Sequence, residues 1–206
     1  MSRLPGALEH LCRRLDLNPA ALPWDPLWSA APDFLELLAE TVLDRRPATI
    51  LECSSGVTTL VAAAACRRLD SGRVWSLEDG HAFLERTRQA LATQELTDYA
   101  EVLHAPLVET PLGGRSWQWY DLSGLPELRA ELLVIDGPPG KLQPLSRYPA
   151  LPRLAGRLAP GAGVLLDDAD RPDEQEIVQS WLAEYPGLQA ERIPLTRGAV
   201  RLTWAG

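Results

Sequence analysis

The sequence predicts an α/β fold: a doubly wound, mostly parallel seven-stranded sheet that ends in an antiparallel hairpin and is preceded by N-terminal helices. Three observations carry this expectation. From residue 48 onward, short apolar runs alternate with amphipathic stretches of helix length, which is the pattern of βαβ units. One of these runs, Glu131–Ile135, is nearly continuous in apolar residues, as a strand covered on both faces must be. The last two runs, 188–193 and 199–204, are joined by a turn too short to hold a crossover helix, so they pair antiparallel.

Element by element, Leu4, Leu8, Leu11 and Leu15 recur at spacings of three and four, and Phe34, Leu35, Leu38 and Val42 repeat the pattern after Asp33. Two helices therefore open the chain, joined by an irregular Pro- and Trp-bearing loop from Leu22 to Pro32. Strands follow at 48–53, 73–77 and 100–104, with helices at 57–69 and 82–96 between them. After the strand at 131–135 the pattern predicts a helix over 145–158, a fifth strand at 163–166, and a helix from Pro172 that ends near Pro186-Gly187.

At 46% hydrophobic and 23% charged, the 206-residue chain can build one sizeable core, and no repeat or linker divides it. Residues 1–47 are expected to form a helical cap on an α/β domain over 48–206, the two making one globular unit. A formal net charge of −8 opposes a phosphate backbone and offers anionic lipid no basic field, so neither nucleic acid nor membrane is an expected partner. The uncharged stretch between Glu52 and Arg67 is shorter than the ~20 residues of a spanning helix, and Arg3, Glu9, Arg13 and Arg14 break up the region where a signal peptide would be apolar. Three cysteines without a C-x-x-C pair suggest neither a disulfide framework nor a zinc site, and a cytoplasmic protein is expected. No residue pattern sets the oligomeric state; a homodimer is compatible with it.

In a doubly wound sheet, ligands bind beyond the carboxyl ends of the strands. The first strand ends Glu52-Cys53-Ser54-Ser55-Gly56 and leads into a helix at Val57-Thr58-Thr59. This is either an ordinary tight turn or a cradle in which small residues and free N–H groups receive an anion. Glu78, 26 residues after Glu52, ends the second strand, where a carboxylate can accept hydrogen bonds from ribose hydroxyls; Asp79 beside it can cap the next helix. Only Gly56 stands in the loop, so the G-x-G-x-x-G of a dinucleotide site is absent, and Gly140-Lys141 is followed by Leu142 and preceded by Ile135 where a P-loop needs glycine. NAD and ATP are disfavoured.

Four segments in order, Leu51–Thr59, Glu78, Val134-Ile135-Asp136-Gly137 and Leu165-Leu166-Asp167-Asp168, resemble the successive motifs of class I S-adenosylmethionine-dependent methyltransferases. The resemblance covers about 48–204, with Ser54 where that family usually has glycine. It implies that Glu52 and the Ser54–Gly56 backbone, with Ser55 and Thr58, hold the methionine part of S-adenosylmethionine, that Glu78 holds the ribose, and that the His104-Ala105 segment borders the adenine. Asp136, Asp167 and Asp168 converge at neighbouring strand ends, and such an oxygen-rich cluster suits Mg²⁺, as in the small-molecule sugar O-methyltransferases of antibiotic pathways. Catechol O-methyltransferase is less similar, since its third ligand is asparagine and this chain has Ala169. The acidic base that the sugar enzymes carry two residues after the first aspartate is replaced by Pro138. Lys141, the chain's single lysine, is the candidate proton acceptor beside Asp136 and Asp168, provided that desolvation lowers its pKa; otherwise it is a solvated loop residue. Trp117–Asp121 suits stacking on an acceptor or the edge of a core, and Arg147, Tyr148 and Arg171 flank the crevice, where they can pair with a carboxylate or phosphate. The implied reaction is methyl transfer to an oxygen of a small molecule. A non-catalytic binding module is the alternative that Ser54 and Pro138 favour, with an NAD-dependent oxidoreductase behind it.

Overall fold

Apolar runs become strands here because helices cover them on both faces. The computed structural model describes residues 4–206, so Arg3 and the first positions of the expected cap lie outside the described residues. Helices α1 (Gly6–Leu15) and α2 (Pro32–Arg45) precede β1 (Thr49–Cys53), α3 (Val57–Leu69), β2 (Arg73–Glu78), α4 (His81–Thr93) and β3 (Ala100–His104). A hairpin of β4 (Leu107–Leu112) and β5 (Arg115–Tyr120) follows, then β6 (Ala130–Ile135), α5 (Ala150–Leu154), β7 (Leu158–Asp167), α6 (Pro172–Glu184), β8 (Gln189–Ile193) and β9 (Ala199–Thr203).

The main sheet has the order β3-β2-β1-β6-β7-β9-β8. Its first five strands run parallel, and β9 pairs antiparallel with both β7 and β8, as the sequence leads one to expect. Side chains alternate across the sheet with the period of two that extended backbone imposes. Ile50, Val74, Leu132 and Leu165 pack with α1 to α4 on one face, while Leu51, Leu77, Leu133 and Leu166 pack with Trp119, Leu151 and Trp181 on the other. Leu8, Leu11 and Leu15 of α1 and Phe34, Leu35 and Leu38 of α2 share the first of these cores, so the cap is packed onto the α3 side of the sheet. No described helix is long and apolar enough to cross a membrane.

The structure differs from the sequence expectation in two places. Between β3 and β6 stands a two-stranded hairpin, on the face where a crossover helix would lie. The helix expected over 145–158 shrinks to α5 and one 3-10 turn, with β7 starting at Leu158. Pro144, Pro149 and Pro152 explain the shortening, since proline lacks an N–H and is tolerated only in a helix's first turn. Residues 145–149 are consequently turns, and Arg147 projects from them under the strand ends.

Candidate active site

The order of strands reverses between β1 and β6, so helices leave the sheet in opposite directions there and a crevice opens at the carboxyl ends. Register completes the geometry: Cys53 pairs with Ile135 and Ile135 with Leu166, which sets the loop after β1, Asp136 and Asp167 side by side.

On the β1 side, Ser54 and Gly56 have φ values of 96° and 148°, both in the region that favours glycine. Nothing lies within 4 Å of where a Gly56 Cβ would point, so torsion rather than crowding requires the glycine and the space above it stays open. The Gly56 N–H donates to Thr59 Oγ1 at 3.1 Å, and that hydroxyl donates to Glu52 Oε2 at 2.7 Å. Ser76 also hydrogen-bonds the Glu52 carboxylate, which is 1% exposed. Glu52, expected at the methionine end, does not line the crevice, and its carboxylate reaches the loop through Thr59. Ser55 Oγ donates to Glu78 Oε2 at 2.7 Å and the Gly80 N–H to Oε1 at 2.9 Å. Burial pushes the Glu78 pKa up, against these two hydrogen bonds. Thr58 borders a small recess of about 40 Å³ beside Ser55 and Gly56.

The crevice is a cavity of about 620 Å³ running from Ser54, Ser55 and Glu78 to Asp136 and Asp168, with Trp28 and Lys141 at its mouth. His104 and Ala105 do not line it. Ala105 is buried with its N–H on the Glu78 carbonyl at 2.8 Å, and the His104 ring turns outward against His81 with centroids 4.1 Å apart. Trp117 and Trp119 are buried in β5, the core-edge alternative, and only Tyr120 of that run reaches the cavity. Tyr148 stacks on Trp117 and donates to Glu184 Oε1 at 2.7 Å, away from the cavity. Lys141 is exposed, with its ammonium 4.4 Å from the centroid of the Trp28 ring.

Asp136, Asp167 and Asp168 do converge, offering oxygens within 4.8 Å of one another. Their partners are arginines. Arg147, 3% exposed, approaches Asp136 Oδ1 at 3.3 Å and Asp168 Oδ2 at 3.0 Å through Nη2. It also donates to the carbonyls of Asp136 and Asp167 at 2.8 and 2.9 Å, and its Nε stands 3.7 Å from Glu174. Arg171 reaches Asp168 Oδ2 at 2.9 Å, and Arg197 lies 3.4 Å from Asp168 Oδ1 and 3.7 Å from Asp167 Oδ2. Burial works against the Arg147 charge, but Asp136, Asp168, Glu174 and Asp167 outweigh it and hold the guanidinium ionised. Burial lifts Asp136 to about 6 in spite of Arg147, and burial with the neighbouring Asp136 and Asp168 pushes Asp167 well above the usual carboxylate range. This donor set does not fit the expected Mg²⁺: every carboxylate of the cluster faces a guanidinium. The arginine expected to meet a ligand's carboxylate meets the protein's own.

Three residues at the site had escaped the sequence reading. Glu174 is buried beneath Arg147, Trp28 walls the mouth, and Arg197 joins the two regions by donating to the Ser29 carbonyl at 2.8 Å while facing Asp167 and Asp168. An acid in the first turn of a helix that starts at Pro172 is the one local signal among them, and it reads equally well as a dipole partner.

No family model matches the chain, and no curated protein matches it in sequence. Solved structures do match in shape. The S-adenosylhomocysteine-bound methyltransferase PaMTH1 of Podospora anserina superposes with a TM-score of 0.68 at 16% identity, over 98% of this chain and 89% of that one. An O-methyltransferase from Bacillus cereus in complex with S-adenosylhomocysteine gives 0.67 at 16% identity, over 99% and 93%. TomG of Streptomyces achromogenes, an O-methyltransferase of tomaymycin synthesis in complex with S-adenosylmethionine, gives 0.64 at 16% identity, over 100% and 92%. With its strand order and closing hairpin, the chain has the fold of the class I methyltransferases.

Proposed function

We propose that the chain transfers the methyl group of S-adenosylmethionine to an oxygen of a small-molecule acceptor. One observation carries this reading: a single cavity joins Ser54, Ser55 and Glu78 to Asp136 and Asp168 across the carboxyl ends of β1, β2, β6 and β7. The donor supplies a methyl group on a positively charged sulfonium, which leaves readily once the nucleophile is aligned. Ser54, Ser55 and the N–H groups that open α3, with Thr58, would receive its carboxylate, and Glu78 its ribose hydroxyls. Asp136, 13% exposed and fixed by Arg147, orients the acceptor hydroxyl and takes its proton. Trp28 and Leu27 line the mouth of the cavity and stay partly open to solvent, and a cavity of about 620 Å³ suits a small acceptor beside the donor. Holding the reactants in line is the main contribution, because little acid–base work is required. Asp168 and Arg171 border the acceptor end, and Lys141 meets the acceptor at the rim. Mg²⁺ has no part in this reading, since Arg147, Arg171 and Arg197 already stand against the three aspartates that would hold it. The free, buried cysteines favour a cytoplasmic setting.

Calorimetry with S-adenosylmethionine, S-adenosylhomocysteine and NAD tests the binding half of the reading. The first two bind and NAD does not; absence of binding at millimolar concentration overturns it. Release of S-adenosylhomocysteine in the presence of hydroxyl-bearing acceptors tests the transfer. Tight binding without release under any acceptor identifies a non-catalytic module instead.

A further inference from the structure

Carboxylates crowded at adjacent strand ends need a cation, and the chain supplies one covalently. Arg147 reaches the cluster from the turn before α5, buried, with its fork spread over two carboxylates and two strand-end carbonyls. We propose that the Arg147 guanidinium holds the position that a divalent ion would have among Asp136, Asp167 and Asp168 and, together with Arg171 and Arg197, supplies the positive charge there, so that the cavity binds no Mg²⁺ and works without it.

Geometry and charge both support the exchange. An ion bridging Asp136 Oδ1 and Asp168 Oδ2 would sit where Nη2 now lies, at 3.3 and 3.0 Å from those oxygens; Asp167 Oδ2 and Asp168 Oδ1 accept no hydrogen bond but have the Arg197 guanidinium 3.7 and 3.4 Å away. Mg²⁺ also needs a near-octahedral oxygen shell at about 2.1 Å and keeps several waters, for which a site packed by a planar guanidinium leaves no room. Arg147 cannot yield by losing its proton, because guanidinium stays charged in proteins. Nor can it swing away cheaply, since Asp136 and Asp167 carbonyls would lose buried donors at 2.8 and 2.9 Å. Asp136, Asp167, Asp168 and Glu174 carry four formal negative charges against three positive ones from Arg147, Arg171 and Arg197. A dication added to that set would reverse its sign beside a buried cation. Arginine gains something over an ion as well: its planar fork fixes the Asp136 carboxylate in orientation, where a hydrated ion would fix mainly its distance.

The inference concerns the same cavity as the proposed methyl transfer, but its test reads metal binding alone, so the two readings fail separately. Full-length chain is stripped with chelator and titrated into Mn²⁺, with the free-ion paramagnetic resonance signal as readout. Wild type leaves that signal unchanged at millimolar protein, and its thermal midpoint is the same in chelator and in Mg²⁺. Arg147→Met removes the cation shared by Asp136 and Asp168 and gains Mn²⁺ affinity of about tenfold or more over wild type, while Arg147→Lys, which keeps the charge, gains none. If Arg147→Met is unfolded in chelator, a midpoint restored by Mg²⁺ reads the same gain. One Mn²⁺ bound per wild-type chain and lost in Asp168→Asn overturns the proposal, as does a folded Arg147→Met that binds no more Mn²⁺ than wild type. Where Arg147→Met folds under no condition, the wild-type titration decides alone.

Discussion

Replacing Glu78 with glutamine separates the binding role of this carboxylate from its place in the fold. Glu78 is 5% exposed, lines the cavity, and accepts from Ser55 Oγ and the Gly80 N–H at 2.7 and 2.9 Å. Because burial has raised its pKa, the ionised side chain costs the unliganded fold some stability, and an amide removes that cost while keeping one acceptor oxygen. The expected change in unliganded stability is therefore within about 1 kcal/mol of zero. Ligand binding is different, because ribose hydroxyls would donate to the carboxylate as charge-assisted hydrogen bonds. Losing the charge and one acceptor costs roughly 1.5–3 kcal/mol, or roughly 10- to 150-fold in the dissociation constant for S-adenosylhomocysteine. Calorimetry on both proteins, with thermal unfolding in the absence of ligand, measures the two quantities apart. Unchanged affinity in the variant would refute the ribose assignment, and a midpoint that collapses with the affinity would show that Glu78 is structural.

Four further outcomes are expected. Methyl transfer rises with pH through about 6 as Asp136 ionises, and Asp136→Asn abolishes that limb in the pH profile. The same shift has the opposite sign for stability: a carboxylate whose pKa is higher folded than unfolded favours the fold below the unfolded value and loses that contribution as pH rises through about 6, so the thermal midpoint at mildly acid pH exceeds that at pH well above 7. Ser54→Gly relieves a residue at φ 96° and raises unfolding free energy by about 0.5–1 kcal/mol in denaturant titration, the left-handed strain outweighing the added chain freedom. Lys141→Met changes the acceptor KM by no more than the ~0.5–1 kcal/mol of an exposed cation–π contact and leaves S-adenosylhomocysteine affinity unaltered; a large fall in kcat would return Lys141 to the reacting centre.

Strands buried on both faces announce themselves, which is why β1, β6 and β7 and the acids at their ends were legible from composition alone. The β4–β5 hairpin also left a signal that the reading passed over. Gly113-Gly114, both at positive φ, are flanked by the alternation of buried Trp117 and Trp119 with exposed Gln118, the mark of a tight hairpin turn. Arg147 left none. A loop arginine carries no periodicity, and its contacts with Asp136 and Asp168 depend on the path of a proline-broken segment that no local pattern specifies. Glu52 stands one position before the end of β1, and its side chain points toward α3, where Thr59 donates to it, a direction that the sequence alone leaves open.

The contact between Arg197 and the Ser29 carbonyl spans 168 positions, and Asp33 accepts from the Thr196 N–H across 163. Contacts this distant in sequence form late, after the entropy of closing the intervening chain has been overcome. During synthesis the Trp28 loop is thus made almost first and fastened almost last, when the turn between β8 and β9 leaves the ribosome. A nascent chain held short of residue 196 has most of its sheet but lacks the contacts that fasten the Trp28 loop beside the crevice, and that loop stays loose until the final hairpin pairs with β7.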